Sequence, residues 1–268
     1  MLRHLIRISL QQAVNNHNPR PSPRSATPAA AQQTDRSALV ALSGLSRRFA
    51  RRWALRNARL RVHAGEIVGI TGHNGSGKST LLRVLCTALR PSAGQGTVCG
   101  YDLVRDADQV RARTAFLAHT PGLYDDLTAE ENLRFAATML GLASRGIAAA
   151  LERVGLAGEA DTRVRGFSAG MQRRLGIARV LLHAPPVVLL DEPYNSLDTE
   201  GIELVNDVMR ETRARGGAVL VVIHDLVRVA PLVDRVVEMR AGAMLEPVAA
   251  VASPLEALAA SSVPQPVR

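Results

Sequence analysis

Three stretches of this chain run apolar almost without interruption: Ile67-Val-Gly-Ile70 inside Glu66–Thr71, Val187-Val-Leu-Leu190, and Val219-Leu-Val-Val-Ile223. Short apolar runs bounded by polar residues predict strands covered on both faces, as in a parallel sheet. Between them, Ser79–Leu89, Glu130–Leu140 and Ile147–Val154 space their apolar residues as helices do. Residues 38–65 instead break into short alternating runs suited to an antiparallel edge. The pattern therefore predicts an α/β fold: a mainly parallel core, an antiparallel β edge subdomain, and a helical insertion over about residues 122–168. No apolar run approaches the roughly 20 residues needed to cross a bilayer.

The polar residues at the strand ends bring in chemistry. Glu66–Thr71 is followed by Gly72-His-Asn-Gly-Ser-Gly-Lys-Ser-Thr80, which fits G-x-x-x-x-G-K-[ST] between a strand and a helix. Glycines at 72, 75 and 77 permit backbone conformations that turn successive N–H groups, including those of His73, Asn74 and Ser76, around an anionic phosphate. The helix that follows presents its positive N-terminal end. In this motif Lys78 reaches the β- and γ-phosphates of a nucleotide, the Ser79 hydroxyl ligates Mg²⁺, and Thr80 is a further candidate phosphate contact. Composition sharpens the point. Of 33 basic side chains Lys78 is the single lysine, and an arginine fork recognises oxygens in pairs where a lysine acts as a point charge.

Val187–Leu190 delivers Asp191 and Glu192, and Val219–Ile223 delivers His224. Asp191 is the candidate Mg²⁺ partner. Glu192 is placed to accept a proton from an attacking water, a role that contributes roughly 10²–10⁴-fold in rate. His224 is a candidate for reaching the γ-phosphate or orienting that water.

Phe167-Ser-Ala-Gly-Met171, with the helix Gln172–Arg179 behind it, resembles the signature sequence of ABC transporter ATP-binding subunits, and the resemblance runs from about Ala38 to Pro247. It implies a phosphate-loop ATPase core whose helical insertion carries this signature. It further implies a cytoplasmic subunit, peripheral on the membrane, that dimerises head to tail around two MgATP and drives separate membrane-spanning permease subunits. Ser168 and Gly170 would then face the ATP held by the other subunit, from a homodimer or a paired ATPase. Phe49 matches the aromatic that stacks on adenine, and Asp198 matches a residue of the loop crossing the dimer interface. His119 stands where the family has a glutamine that reaches Mg²⁺. An imidazole offers a lone pair or a proton but not the paired groups of an amide, so its metal contact is direct, water-mediated or absent.

Leu117–Leu133, the Phe-Ser-x-Gly-Met signature and Asp191-Glu-Pro-Tyr194 together resemble the ATPase subunit of Ccm-type haem exporters of cytochrome c maturation. None of those residues would touch cargo, so the substrate comes by association. The alternatives are an exporter ATPase for a drug or lipid, and a soluble ABC ATPase or ATP-sensing module.

The flanks add little to the chemistry. Residues 1–37 read as a basic, disordered extension: the first 34 contain four arginines and no acid. Residues 248–268 read as a flexible tail after an ATPase domain spanning 38–247. A net charge of +9 raises anionic partners. With aromatics at 3% and no groove-reading motif, nucleic acid is not expected among them. Cys86, expected inside the helix after the phosphate loop, and Cys99, expected in a strand, lack metal-ligand spacing and read as packed thiols.

Overall fold

A computed structural model describes residues 38–223 and 229–245. The expected basic extension, the C-terminal tail and His224 lie outside the described residues.

Residues 38–65 form a hairpin of β1 (Ala38–Phe49) and β2 (Arg52–His63). With β4 (Ala93–Val98) and β5 (Tyr101–Asp102) it makes an antiparallel sheet of order β2-β1-β4-β5. The second sheet has the order β10-β9-β3-β8-β7-β6, comprising β3 (Ile67–Thr71), β6 (Thr114–Leu117), β7 (Val187–Asp191), β8 (Ala218–Val222), β9 (Arg235–Arg240) and β10 (Ala243–Met244). All its pairings are parallel except that of β10 with β9. The continuous apolar runs have their cause here: every residue of β7 and β8 is buried. Their side chains alternate between two cores. Val187, Leu189, Leu220 and Val222 face one, which also holds Leu55, Leu81 and Leu85. Val188, Leu190, Val219 and Val221 face the other, which holds Leu133, Leu151 and Leu175.

The described helices are α1 (Lys78–Leu85), α2 (Ala107–Arg111), α3 (Ala129–Met139), α4 (Ile147–Arg153), α5 (Ala169–His183) and α6 (Thr199–Ala214). The helical insertion appears as α3, α4 and short 3₁₀ turns. Thr128 starts α3 with a capping box: its hydroxyl accepts from the Glu131 N–H at 3.2 Å, and the Glu131 carboxylate accepts from the Thr128 N–H at 2.9 Å.

Two expectations need correcting. The helix predicted to Leu89 stops at Leu85, because Thr87 takes a left-handed φ of 60° and turns the chain toward β4. Cys86 therefore caps the helix rather than lying within it. Cys99 is not in a strand: with φ of 49°, and Gly100 at 81°, it forms the tight turn joining β4 to β5. Burial raises both thiols above the ordinary cysteine pKa.

Register decides what meets at the edge of the parallel sheet. Ile70 and Asp191 both pair with Val222, and Leu117 pairs with Leu190. The loops after β3, β6 and β7 therefore leave the sheet at the same end, with β8 between β3 and β7, where α/β folds build their sites.

Candidate functional site

The loop from Gly72 to Gly77 is held by backbone on two sides. A Cβ on Gly72 (φ 137°) would lie 2.1 Å from the Met239 carbonyl oxygen, and one on Gly77 (φ 109°) 2.3 Å from that of Ala54. Only glycine satisfies both the dihedral and the approach. The loop is thereby wedged between β9 and β2 with His73, Asn74 and Gly75 exposed. Lys78 opens α1 and is 5% exposed. Its Nζ donates to the carbonyls of Gly72 at 2.6 Å and His73 at 3.1 Å, so the ammonium lies folded across the loop. Burial lowers its pKa, against the opposing pull of Glu192 and Asp191. A bound anion would offset the same desolvation. The Ser76 hydroxyl is buried in this loop without a hydrogen-bond partner.

Asp191 ends β7 facing α1. The Ser79 hydroxyl donates to Asp191 Oδ1 at 3.2 Å, while Oδ2 is buried with no hydrogen-bond partner. Desolvation holds this carboxyl above the ordinary aspartate range. A hydroxyl beside a carboxylate with an unsatisfied oxygen fits a hard divalent cation. Among the described residues no group of three or more His, Cys, Asp or Glu could hold a metal. Two oxygen donors suit Mg²⁺, which keeps water and substrate phosphate as its other ligands.

Glu192 has a left-handed φ of 50°, uncommon for a side chain of its size. Its N–H donates to the Val222 carbonyl at 3.2 Å, and its Oε2 accepts from Asn195 Nδ2 at 2.9 Å. His119, two residues beyond β6, brings Nε2 to 3.7 Å from the same Oε2. The residue standing in for the expected glutamine thus lies within ion-pair reach of the carboxylate placed to accept a proton.

Phe49 ends β1 with 43% exposure, so its ring is not a core phenylalanine. The Arg47 guanidinium covers it, 4.6 Å from the centroid. Thr80 is half-buried on α1. Ser168 caps α5, its hydroxyl accepting from the Met171 N–H at 3.2 Å. A Cβ on Gly170 would lie 2.9 Å from the Ser196 carbonyl oxygen, so the α5 N-terminus packs on the loop that leads to α6. Asp198 caps α6 through the Gly201 N–H at 2.9 Å and pairs with Arg174 at 2.7 Å.

The structure therefore gathers Gly72–Thr80, His119, Asp191 and Glu192 at one sheet edge, and sets Ser168, Gly170 and Asp198 together at the starts of α5 and α6. No hydrogen bond or ion pair among the described residues joins the second group to the phosphate loop. Sequence reasoning missed Arg173 and Asn195. The signal for Arg173 was an arginine placed on the buried side of a helix; for Asn195 it was its place three residues after Glu192, at the head of the loop that ends in Asp198.

The stretch 55–195 matches the ABC transporter family. The chain belongs to that family. As an ABC ATPase it binds ATP and hydrolyses it in a reaction coupled to transport. It is 35% identical over 216 residues to the ABC transporter ATP-binding protein NatA of Bacillus subtilis, covering 77% of this chain and 88% of that protein. It is 34% identical over 212 residues to the bacitracin transport ATP-binding protein BcrA of Bacillus licheniformis, with 78% and 69% covered. Identity is 42% over 183 residues to the cytochrome c biogenesis ATP-binding export protein CcmA of Xanthomonas campestris, with 68% and 85% covered. A solved ATP-binding subunit of an ABC transporter superposes with a TM-score of 0.76 at 28% identity, covering 83% of this chain and 98% of that one. A dimeric ATP-binding cassette in a post-hydrolysis state with ADP and Pi superposes with a TM-score of 0.71 at 27% identity, covering 78% and 97%.

Proposed function

We propose that residues 38–247 form the ATPase domain of a transporter subunit that closes as a dimer around two ATP molecules and passes the motion to separate membrane-spanning subunits. The observation that carries this reading is the convergence of Lys78, the Ser79–Asp191 pair and Glu192 at one sheet edge. The loop N–H groups and Lys78 take the β- and γ-phosphates, and Phe49 takes the adenine once Arg47 gives way. Ser79 and Asp191 hold Mg²⁺, which when bound neutralises phosphate charge. Glu192 accepts a proton from water as the water oxygen attacks the γ-phosphorus and the bond to the β-phosphate's bridging oxygen breaks, leaving ADP and phosphate. His119 orients this carboxylate or the water beside it, and His224 serves at the same phosphate.

Ser168 and Gly170 complete the partner's site from the α5 N-terminus, with Asp198 at the interface. The dimeric post-hydrolysis neighbour supports this arrangement. ATP then favours the closed dimer because its γ-phosphate touches both chains, and hydrolysis removes that differential contact. Among the described residues no helix is long and apolar enough to cross a membrane, in keeping with a peripheral subunit on its cytoplasmic face.

For cargo we infer haem export in cytochrome c biogenesis, supported by the 42% identity to CcmA and by the residues around His119 and Tyr194. The longer alignment with the bacitracin transport protein BcrA favours a second reading, export of another substrate such as a drug or lipid. Two experiments test these statements. Glu192→Gln is expected to trap an ATP-bound dimer with turnover largely lost, and a monomer with full turnover removes Glu192 from the mechanism. Deletion of the gene is expected to deplete mature c-type cytochromes; normal haem attachment in the deletion strain excludes the haem reading and leaves the ATPase reading standing.

A further inference from the structure

Arg173 lies in the second turn of α5, five residues after its cap Ser168, and is only 3% exposed. A buried guanidinium is costly unless its N–H groups are satisfied. Here they meet two main-chain carbonyls from different loops: NH1 donates to Ala118 at 2.7 Å and NH2 to Glu192 at 3.2 Å. Burial lowers the pKa of this guanidinium, and the charges of Asp191 and Glu192 oppose the shift. One planar fork thus holds the residue before His119 and the peptide of Glu192.

That peptide is the strained one. A glutamate at φ 50° persists only where its surroundings over-determine it. Among its restraints are the Glu192 N–H on Val222, Asn195 on the carboxylate and, through its N–H at 3.4 Å, on the carbonyl, and Arg173 on the same carbonyl. Arg173 is the restraint that comes from the signature helix. Without it the carbonyl keeps only the longer bond from the Asn195 N–H, and the peptide is less held against relaxing toward negative φ and carrying the carboxylate with it.

We propose that Arg173 is a positioning residue for hydrolysis: it ties the Glu192 peptide, and through it the carboxylate, and the His119 loop to the helix whose N-terminus carries Ser168. The proposal rests on Glu192 as the proton acceptor. Arg173 donates to neither the phosphate loop nor the Asp191–Ser79 pair, so its removal acts on turnover rather than on nucleotide binding.

The test is steady-state ATP hydrolysis and equilibrium nucleotide binding by the full chain carrying Arg173→Met, which keeps an unbranched stem and removes the donors. The expected result is a kcat lower by about 10–100-fold, as misplacement of a reacting group produces, with KM for ATP changed less than about 2-fold. Added to Glu192→Gln, Arg173→Met is expected to lower the residual rate no further, since both changes act through one carboxylate. A wild-type kcat in Arg173→Met, or the same fold loss in both backgrounds, overturns the proposal and leaves Glu192 in its role. Full turnover in Glu192→Gln alone removes that role instead. Should Arg173→Met fail to hold nucleotide, Arg173→Gln, which keeps an amide donor for one carbonyl, goes through the same cycle. Loss of nucleotide binding in both variants assigns Arg173 to folding alone and overturns the proposal.

Discussion

Asp191 shows what the site demands of a single side chain. Its carboxyl is 1% exposed, one oxygen has no hydrogen-bond partner, and desolvation holds its pKa above the ordinary aspartate value. A carboxyl whose folded pKa is raised contributes its full stability below the unfolded value, and loses it as pH rises through the folded value. At neutral pH the raised pKa therefore opposes folding of the nucleotide-free protein. Asp191→Asn is expected to raise the thermal midpoint of that form by ~2 °C or more at pH 7, with the gap closing as pH falls below the ordinary aspartate range. It is also expected to abolish the added stability that Mg²⁺ brings with ATP. Scanning calorimetry with and without MgATP checks both halves. At this scale Lys78, Ser79, Asp191 and Glu192 were legible because each stands at a fixed offset from an apolar run. The pairing of His119 with Glu192 was not, because it joins residues 73 positions apart.

At the scale of elements, the phosphate loop depends on strands distant from it in the chain. Gly72 faces the Met239 carbonyl of β9 and Gly77 the Ala54 carbonyl of β2, so a methyl group at either position meets rigid backbone. Gly72→Ala is expected to destabilise the fold by more than about 1 kcal/mol, since a side chain must also adopt φ 137°. The same change is expected to weaken ATP binding, measured by chemical denaturation and nucleotide titration. The glycines were legible from the loop's spacing; the walls they touch were not. Helix ends were the least legible feature. Thr87 and Cys99 take left-handed conformations that propensity gives to glycine: Thr87 turns the chain toward β4, which must reach β1, and Cys99 turns it from β4 into β5.

At the scale of the whole molecule, the helical insertion leaves an apolar surface exposed. Tyr124, Phe135 and Met139 are 53%, 42% and 71% exposed, and the two rings meet edge to face with centroids 4.8 Å apart. An exposed patch of this kind marks an interaction surface. Tyr124 follows His119 by five residues, so the chain leading away from the residue 3.7 Å from Glu192 runs into this patch. Met139→Glu is expected to leave ATP binding unchanged while abolishing recovery of membrane-spanning subunits in detergent pull-downs. Equal recovery from wild-type and variant cells would place the permease contact elsewhere.

The parallel core, the antiparallel edge, the helical insertion and the candidates for phosphate handling could all be read from the chain alone. These follow from local facts: apolar runs too short for helices, glycines at set intervals, and acids at strand ends. Tertiary structure alone decided which loops share an edge, that His119 meets Glu192, that Lys78 folds onto its own loop, and that Arg173 spans two loops with one guanidinium. Strand order and register set those contacts, and the pairing of β7 between β6 and β8 is a property of the assembled sheet rather than of any one stretch.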